Sequence, residues 1–391
     1  MTERLYYIDP YRVQFEAHTV EHGPDLTRVV LDRSAFYPTS GGQPHDTGTL
    51  GGIPVVSVED REDGAVVHVL ASPLDASGGP LTGDVDWARR FDHMQQHTGQ
   101  HLLSAVFVDL FGFETRSFHM GAELSTIELG CPSLSASQMA AAEVRANELI
   151  AENRGVRIDF EDAGSVEGLR KTSERTGTLR IVTIEGLDRS ACGGTHVRST
   201  GEIGCILLRK TERIRGNTRL EFVCGLRAAR RATTDFRLLS AISETMSAAI
   251  DDTAGVASNW SGRLAEAEKE RRRVALELAQ FTGRDLYSRT EATPAGRRVS
   301  VRVAESIGEE MRAEAQSFTA GSQAVYIAAA TAKPAVLVAV SADAGQNAGS
   351  ILKELLSKHG GRGGGTALLA QGSVADRASL DAVLSALRGY F

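Results

Sequence analysis

Over the first ninety residues, apolar and polar positions alternate in short runs. RVQFEAH, TRVVLDR, IPVVSVED and AVVHVL are β-branched stretches separated by Gly, Pro and Asp turns, the pattern of short strands. Several such strands at close spacing predict a small β-barrel over 1–90. Between them FYPTSGGQPHDTG has the glycine and proline content of a tight turn. At Asp92 the period changes to helical. Asp92 is the expected cap, with Gln95 in capping-box position, and HLLSAVFVDLF carries the helix to Gly112. A second helix is predicted in SASQMAAAEVRANELIAENRG, capped at Ser135 or Ser137 and stopped at Gly155. The strands RIDF, LRIVTIEG, CILLRKTERI and TRLEFVCG follow, so 91–232 reads as a mixed α/β domain. Residues 233–296 read as a helical linker, in which EAEKERRRVALELAQ has a thin apolar stripe suited to solvent or to a paired helix. The last block, 297–391, has buried-type strands (AVYIAAAT, AVLVAVS), two helices (GSILKELLSK, SLDAVLSALRGY) and the glycine loop HGGRGGGT. The expected class is α+β: a small N-terminal barrel, an α/β domain, a helical linker and a C-terminal α/β domain.

Composition changes this picture little. The chain has 391 residues, 42% hydrophobic and 24% charged, which suits two or three globular domains. A net charge of -7 argues against a uniformly basic nucleic-acid coat and leaves room for a local basic patch. The start, MTERLYYIDPYRVQF, is not a secretory signal, and no apolar run approaches a bilayer span. Cys131, Cys192, Cys205 and Cys224 form no CxxC pair, so the expected compartment is a reducing cytoplasm with thiols free or metal-bound.

Candidate chemistry begins in DHMQQHTGQH. On a helix, His97 and His101 share a face and can bind one ion together. His93 lies one turn earlier, but three ligands in a straight ladder fit a tetrahedral ion poorly, so at most two should bind. Spacing alone is weak, because HTVEH also places His18 and His22 four apart. That segment reads as strand, where four residues span roughly 13 Å, too far for one zinc. The context that matters comes in SACGGTHV. There Cys192 and His196 flank Gly193 and Gly194, which let the backbone fold sharply enough for the two side chains to converge. Two histidines from one segment with Cys and His from another make a donor set that zinc accepts.

HTGQHLL and CGGTH together resemble the two halves of the zinc site in the editing domain of alanyl-tRNA synthetase, and FYPTSGGQPHDTG resembles the glycine-motif loop before it. The run DHMQQHTGQHLLSA is similar to the free-standing AlaX trans-editing proteins. The resemblance covers 1 to about 230, and no segment looks like the synthetase's aminoacylation domain. HGGRGGGTALLAQGS partly resembles the DHH-associated domain of the long AlaX form, with Ala367 and Leu368 where Pro and Asp often stand. The resemblance implies that His97, His101, Cys192 and His196 hold Zn²⁺ and carry catalysis, and that Gly41, Gly42 and Gln43 border the pocket. It puts Arg116, Ser117 and His119 where the synthetase has a Gln, so pocket details should differ.

The implied reaction is hydrolysis of the ester joining a wrong amino acid, serine or glycine, to tRNA(Ala). A small apolar pocket rejects an added hydroxyl poorly, whereas a site that hydrogen-bonds the serine hydroxyl is left unpaired by alanine. Thr98 and Gln100 are the candidates for that contact. The ion could activate a water, polarise the carbonyl or only place the substrate's amino group. Arg209, Lys210, Arg213, Arg215 and Arg219 in LLRKTERIRGNTRLEF are the candidate tRNA contacts. A homodimer through the charged helix is a further expectation, and nucleotide and ATP binding are carried with it, although HGGRGGGT has no P-loop lysine before its Thr. The rival reading is a non-catalytic zinc protein that binds tRNA or the synthetase.

Overall fold

A computed structural model describes residues 1–75, 79–172, 174 and 176–391. It divides into two compact units, Met1–Ala241 and Ile242–Phe391, and the class is mixed α+β.

In the first unit, seven antiparallel strands form a nearly closed, barrel-like sheet. Their order across it is Gln14–Ala17, Leu81–Val85, Gly48–Leu50, Ile53–Asp60, Val66–Leu70, Arg28–Leu31 and Thr19–His22. The two outermost strands are joined by His18 alone, so the sheet curls back on itself. Alternation sends Phe15, Leu31, Val55, Val58 and Val66 into one core with Phe36 and Leu50. The four strands expected from β-branched runs are present. Leu81–Val85 escaped the pattern because Gly83 interrupts it: a Cβ there would lie 2.3 Å from the Phe15 ring, so packing demands the glycine.

The barrel leads into a 25-residue helix, Trp87–Phe111, called here the histidine helix. It starts earlier than the sequence suggests. Asp86 is the cap, accepting from the Arg89 N–H at 3.2 Å. Asp92 sits within the helix and binds Arg227 through both carboxylate oxygens, while Gln95 donates to the Glu202 carbonyl. The first turns carry Trp87 and Phe91, which stack on one another, rather than an aliphatic stripe. Gly112, at φ 68°, closes the helix as expected. Ser135, not Ser137, caps Ala136–Ala151 in a full capping box with Gln138. That helix ends at Ala151, before Gly155, and Asn153 follows it with φ 51°.

Met94, Leu102, Leu103, Val106 and Phe107 bury the histidine helix against two further antiparallel sheets and the capped helix. One sheet has the order Thr115–Met120, Ser125–Leu129, Asn217–Cys224, Ile206–Ile214; the other is Val156–Asp162, Thr178–Ile184, Asp188–Ala191. Truncating a fully buried Leu such as Leu102 or Leu103 to Ala would cost about 2–5 kcal/mol. At its N-terminal end the helix is pinned to the turn after Tyr37. Arg90 and Asp46, both fully buried, form an ion pair, and Arg90 also donates to the carbonyls of Pro10 and Ala35. Asp46 in turn accepts the Tyr37 N–H at 2.6 Å.

The second unit contains the long helix Thr253–Arg289 and a five-stranded sheet ordered Arg298–Ala304, Ala324–Ala330, Ala335–Val340, Leu369–Ser373, Arg362–Gly365. Only the first pair is parallel. Helices Glu309–Thr319, Ala348–Lys358 and Arg377–Tyr390 belong to the same unit. HGGRGGGT, expected as a loop, is half strand, Arg362–Gly365. Gly363 opposes Gly372 so closely that a Cβ would meet the Gly372 Cα at 2.4 Å. Its glycines serve backbone pairing and do not form a phosphate-wrapping loop, and the expectation of nucleotide or ATP binding has no support. Among the described residues no helix is long and apolar enough to cross a membrane.

Candidate metal centre and cavity

Helical spacing projects His97 and His101 from one face, and the rings stand 5.3 Å apart. The strand Asp188–Ala191 ends beside them, and the turn after it delivers Cys192 and His196. One ligand atom from each of His97, His101, Cys192 and His196 lies within 4.8 Å of all the others. Cys192 Sγ is 3.4 Å from Nε2 of both His97 and His196. The turn depends on Gly194, where a Cβ would fall 2.2 Å from the His97 ring. His18 and His22, with the same spacing, border and end an exposed barrel strand, and His93 stays outside the cluster.

Each of the three histidines is fixed through Nδ1, leaving Nε2 for the centre. His97 Nδ1 meets Gln43 Oε1 at 2.7 Å, His101 Nδ1 meets Asp188 Oδ2 at 3.0 Å, and His196 Nδ1 meets Thr98 Oγ1 at 3.1 Å. Outer partners of this kind set the tautomer and ring orientation of metal-binding histidines. The partners are themselves held. Gln43 donates to Thr195 Oγ1 and accepts the Thr195 N–H. Asp188 also accepts from Arg170 at 2.6 Å and from Ser190. Three imidazoles and one thiolate, with 3.4 Å from the sulfur to two of the imidazole nitrogens and all four donors within 4.8 Å of one another, are a donor set that a tetrahedral Zn²⁺ with bonds of about 2.0–2.3 Å accepts.

Charge follows the same wiring. Burial opposes the Cys192 thiolate, but His97, His196 and His101 outweigh it and pull the thiol well below its ordinary value. Burial also works against charge on Asp188 and His101. Each nonetheless stabilises the other: the carboxyl drops to about 2 and the imidazole rises to about 9. Burial, then His97, press His196 down to about 3.

The cluster borders a cavity of about 790 Å³ in the first unit, reached by His97, His101 and Cys192. Gln100 lines it and donates to Ser104. Thr98, expected there, is fully buried against His196 and Val197 and does not line it. Gly41 lines the cavity with φ 56°. Gly42 packs against the strand Thr115–Met120, where a Cβ would meet the Phe118 carbonyl oxygen at 2.6 Å, and Gln43 stands behind His97. Arg116 and Ser117 reach the wall, whereas His119 does not. The five cations of LLRKTERIRGNTRLEF lie on the hairpin Ile206–Ile214 and Asn217–Cys224. Its outer strand is at the opposite edge of its sheet from the cavity-lining strand. Arg209 is tied to Asp235 at 2.5 Å, Lys210 to Glu221 at 3.4 Å and Arg219 to Glu212 at 3.8 Å. Arg213 and Arg215 stand exposed near the turn.

Sequence reasoning missed Asp188, Thr195 and Arg180. Asp188 lies four residues before Cys192, and a lone acid leading into a cysteine-glycine turn is its only local signal. Arg180 comes from a neighbouring strand, and only pairing brings it to Cys192, whose carbonyl accepts from it at 2.6 Å.

Residues 179–221, which contain Cys192 and His196, match the threonyl and alanyl tRNA synthetase second additional domain, and residues 309–391 match the DHHA1 domain. Alanyl-tRNA editing protein Aarsd1-B of Xenopus laevis is 40% identical over 51% of this chain and 49% of its own length. Alanyl-tRNA editing protein AlaX-L of Pyrococcus horikoshii is 37% identical over 58% of this chain and 59% of its own. The mouse Aarsd1 protein is 34% identical over 66% and 64%. The chain thus spans about half to two thirds of the length of these relatives. The C-Ala domain crystal structure from Aquifex aeolicus alanyl-tRNA synthetase is 25% identical, covering 23% of this chain and 86% of that one, at a TM-score of 0.21. With the second additional domain around the Cys192 turn and a DHHA1 domain later in the chain, this chain is similar to the alanyl-tRNA editing proteins, AlaX-L among them, over about half to two thirds of their length.

Proposed function

We propose that this protein is an aminoacyl-tRNA deacylase acting in trans. It hydrolyses the ester between a wrong amino acid and tRNA(Ala), serine first and glycine second, at a zinc centre held by His97, His101, Cys192 and His196. The observation that carries the reading is the four-donor cluster at the wall of a cavity large enough for the 3′ end of an RNA. Bound there, zinc would supply Lewis acidity toward the ester or an attacking water. The chain's own residues do the rest. Gln43, Thr98 and Asp188 hold the three imidazoles, and Asp188 can retain the His101 Nδ1 proton throughout. Gln100, bonded to Ser104, is the polar group on the wall able to meet a serine hydroxyl. Arg213 and Arg215, without carboxylate partners among the described residues, are the hairpin cations open to phosphate, while Arg209, Lys210 and Arg219 contribute through pairs that RNA would have to loosen.

A homodimer through Thr253–Arg289 is part of the proposal, since Leu264, Val274, Leu278 and Phe281 are exposed on that helix. Sedimentation of wild type against Leu278→Glu tests it, with a shift to monomer expected in the variant. The activity test compares Ser-tRNA(Ala) with Ala-tRNA(Ala), using wild type and Cys192→Ala. Loss of serine only, abolished in the variant, is the expected result. No hydrolysis by folded, zinc-loaded wild type would remove the enzyme reading and favour the non-catalytic zinc protein.

A further inference from the structure

Arg180 is the buried charge that the metal centre does not use. The residue lines the cavity and is 7% exposed. Nε donates to the Tyr7 carbonyl at 2.9 Å and Nη1 to the Cys192 carbonyl at 2.6 Å. The guanidinium also rests near the Tyr7 ring, 5.4 Å from its centroid. Nη2 has no partner, and among the described residues Arg180 forms no ion pair with a carboxylate. The contrast with its neighbours is direct. Arg4 is paired with Asp60, Arg170 with Asp188 and Arg116 with Glu114. A buried cation with an idle donor destabilises the fold unless an anion meets it.

We propose that Arg180 is the subsite for the phosphodiester that precedes the terminal nucleoside of the RNA substrate. The inference rests on the deacylase reading and names the group the cavity would grip next to the ester. The guanidinium bonds the backbone of Cys192, so it stands within one nucleoside's length of the cluster. An aminoacyl ester has no carboxylate, and its amino group is a poor neighbour for a cation. The nearest fixed negative charge on such a substrate is that phosphodiester. Arginine suits it because its planar fork can present two donors to phosphate oxygens.

The test uses the full zinc-loaded chain and two model esters: 3′-O-seryl-adenosine, with no phosphate, and the same ester on the dinucleotide CpA, with one phosphodiester. Arg180→Met is expected to lower kcat/KM on the CpA ester about 10–100-fold, the range for one charge-assisted hydrogen bond. It should leave the adenosine ester within about threefold, and Arg180→Lys should recover part of the loss. Equal losses on both esters, or none on either, would overturn the phosphate assignment. Binding of unesterified CpA and of adenosine, followed by calorimetry, keeps the two readings separate. If wild type hydrolyses neither ester, yet Arg180→Met selectively weakens CpA binding, the deacylase reading falls and the anion subsite stands. Equal CpA binding by wild type and both variants, with unchanged melting temperatures, sinks the subsite. If Arg180→Met does not fold, Arg180→Lys with the wild-type CpA-to-adenosine preference decides: a wild type that does not prefer CpA overturns the proposal.

Discussion

His18 and His22 have the same spacing as His97 and His101, yet the two regions share almost nothing else. The first pair borders and ends a four-residue strand whose burial pattern is exposed throughout. Among the described residues, the His22 ring meets the neighbouring Gly23 carbonyl. The second pair lies on a helix that is buried from His93 to Phe107. There Nδ1 is held by Gln43 or Asp188, and Cys192 and His196 arrive from a turn nearly a hundred residues later. A ligand spacing therefore has meaning only through the element that carries it and the outer residues that aim it.

The largest expected effect on that contrast comes from the candidate ligands. Cys192→Ala or His97→Ala should abolish stoichiometric zinc, read by metal analysis after gel filtration, whereas the His18→Ala/His22→Ala double variant should keep it. Retained zinc in Cys192→Ala would break the comparison.

Next comes a third environment, the barrel interior. His68 is fully buried between Ser34 and the Val29 carbonyl, and burial lowers it to about 4. The unfolded imidazole, near 6.5, takes its proton first as pH falls. His68 therefore supports the fold fully above about 6.5, and that support fades between 6.5 and 4, by up to about 3 kcal/mol. Urea unfolding against pH should show this acid slope, and His68→Gln should reduce it. His22→Gln should leave it unchanged.

A smaller effect belongs to the outer residues. Asp188→Asn keeps the shape but removes the charge facing His101 and Arg170. Zinc affinity measured by competition with a chelator should fall about 10–100-fold. The smallest effect extends the lesson to arginine. Arg213→Ala with Arg215→Ala should weaken tRNA binding by up to about tenfold in low salt and reduce its salt slope by about two. Arg209→Ala should act mainly by freeing Asp235.

Much of this was legible before any coordinates. Periodicity found the barrel strands with β-branched residues, the capped helix at Ser135 and the αL stop at Gly112. Elements failed to show where packing overrides local preference. Gly83 sits mid-strand to make room for Phe15, so its segment showed no strand pattern, and Gly363 faces Gly372 in a segment that reads as a loop. The true helix start at Asp86 was obscured because its first turns are aromatic and arginine-rich.

The sequence by itself pointed to the four side chains that the fold brings into one cluster. His97 and His101 share a face by helical geometry, and the glycines beside Cys192 allow its turn to close. What only the tertiary structure decided is the surroundings of those donors. Thr98 turned from a substrate candidate into the holder of His196, Gln43 and Asp188 became the holders of the other two imidazoles, and Arg180 emerged as an unpaired charge. Those roles depend on strand pairing and on contacts between residues far apart in the chain, Gln43 to His97 and Asp188 to His101. Local periodicity records which face a side chain occupies, not which distant partner meets it there.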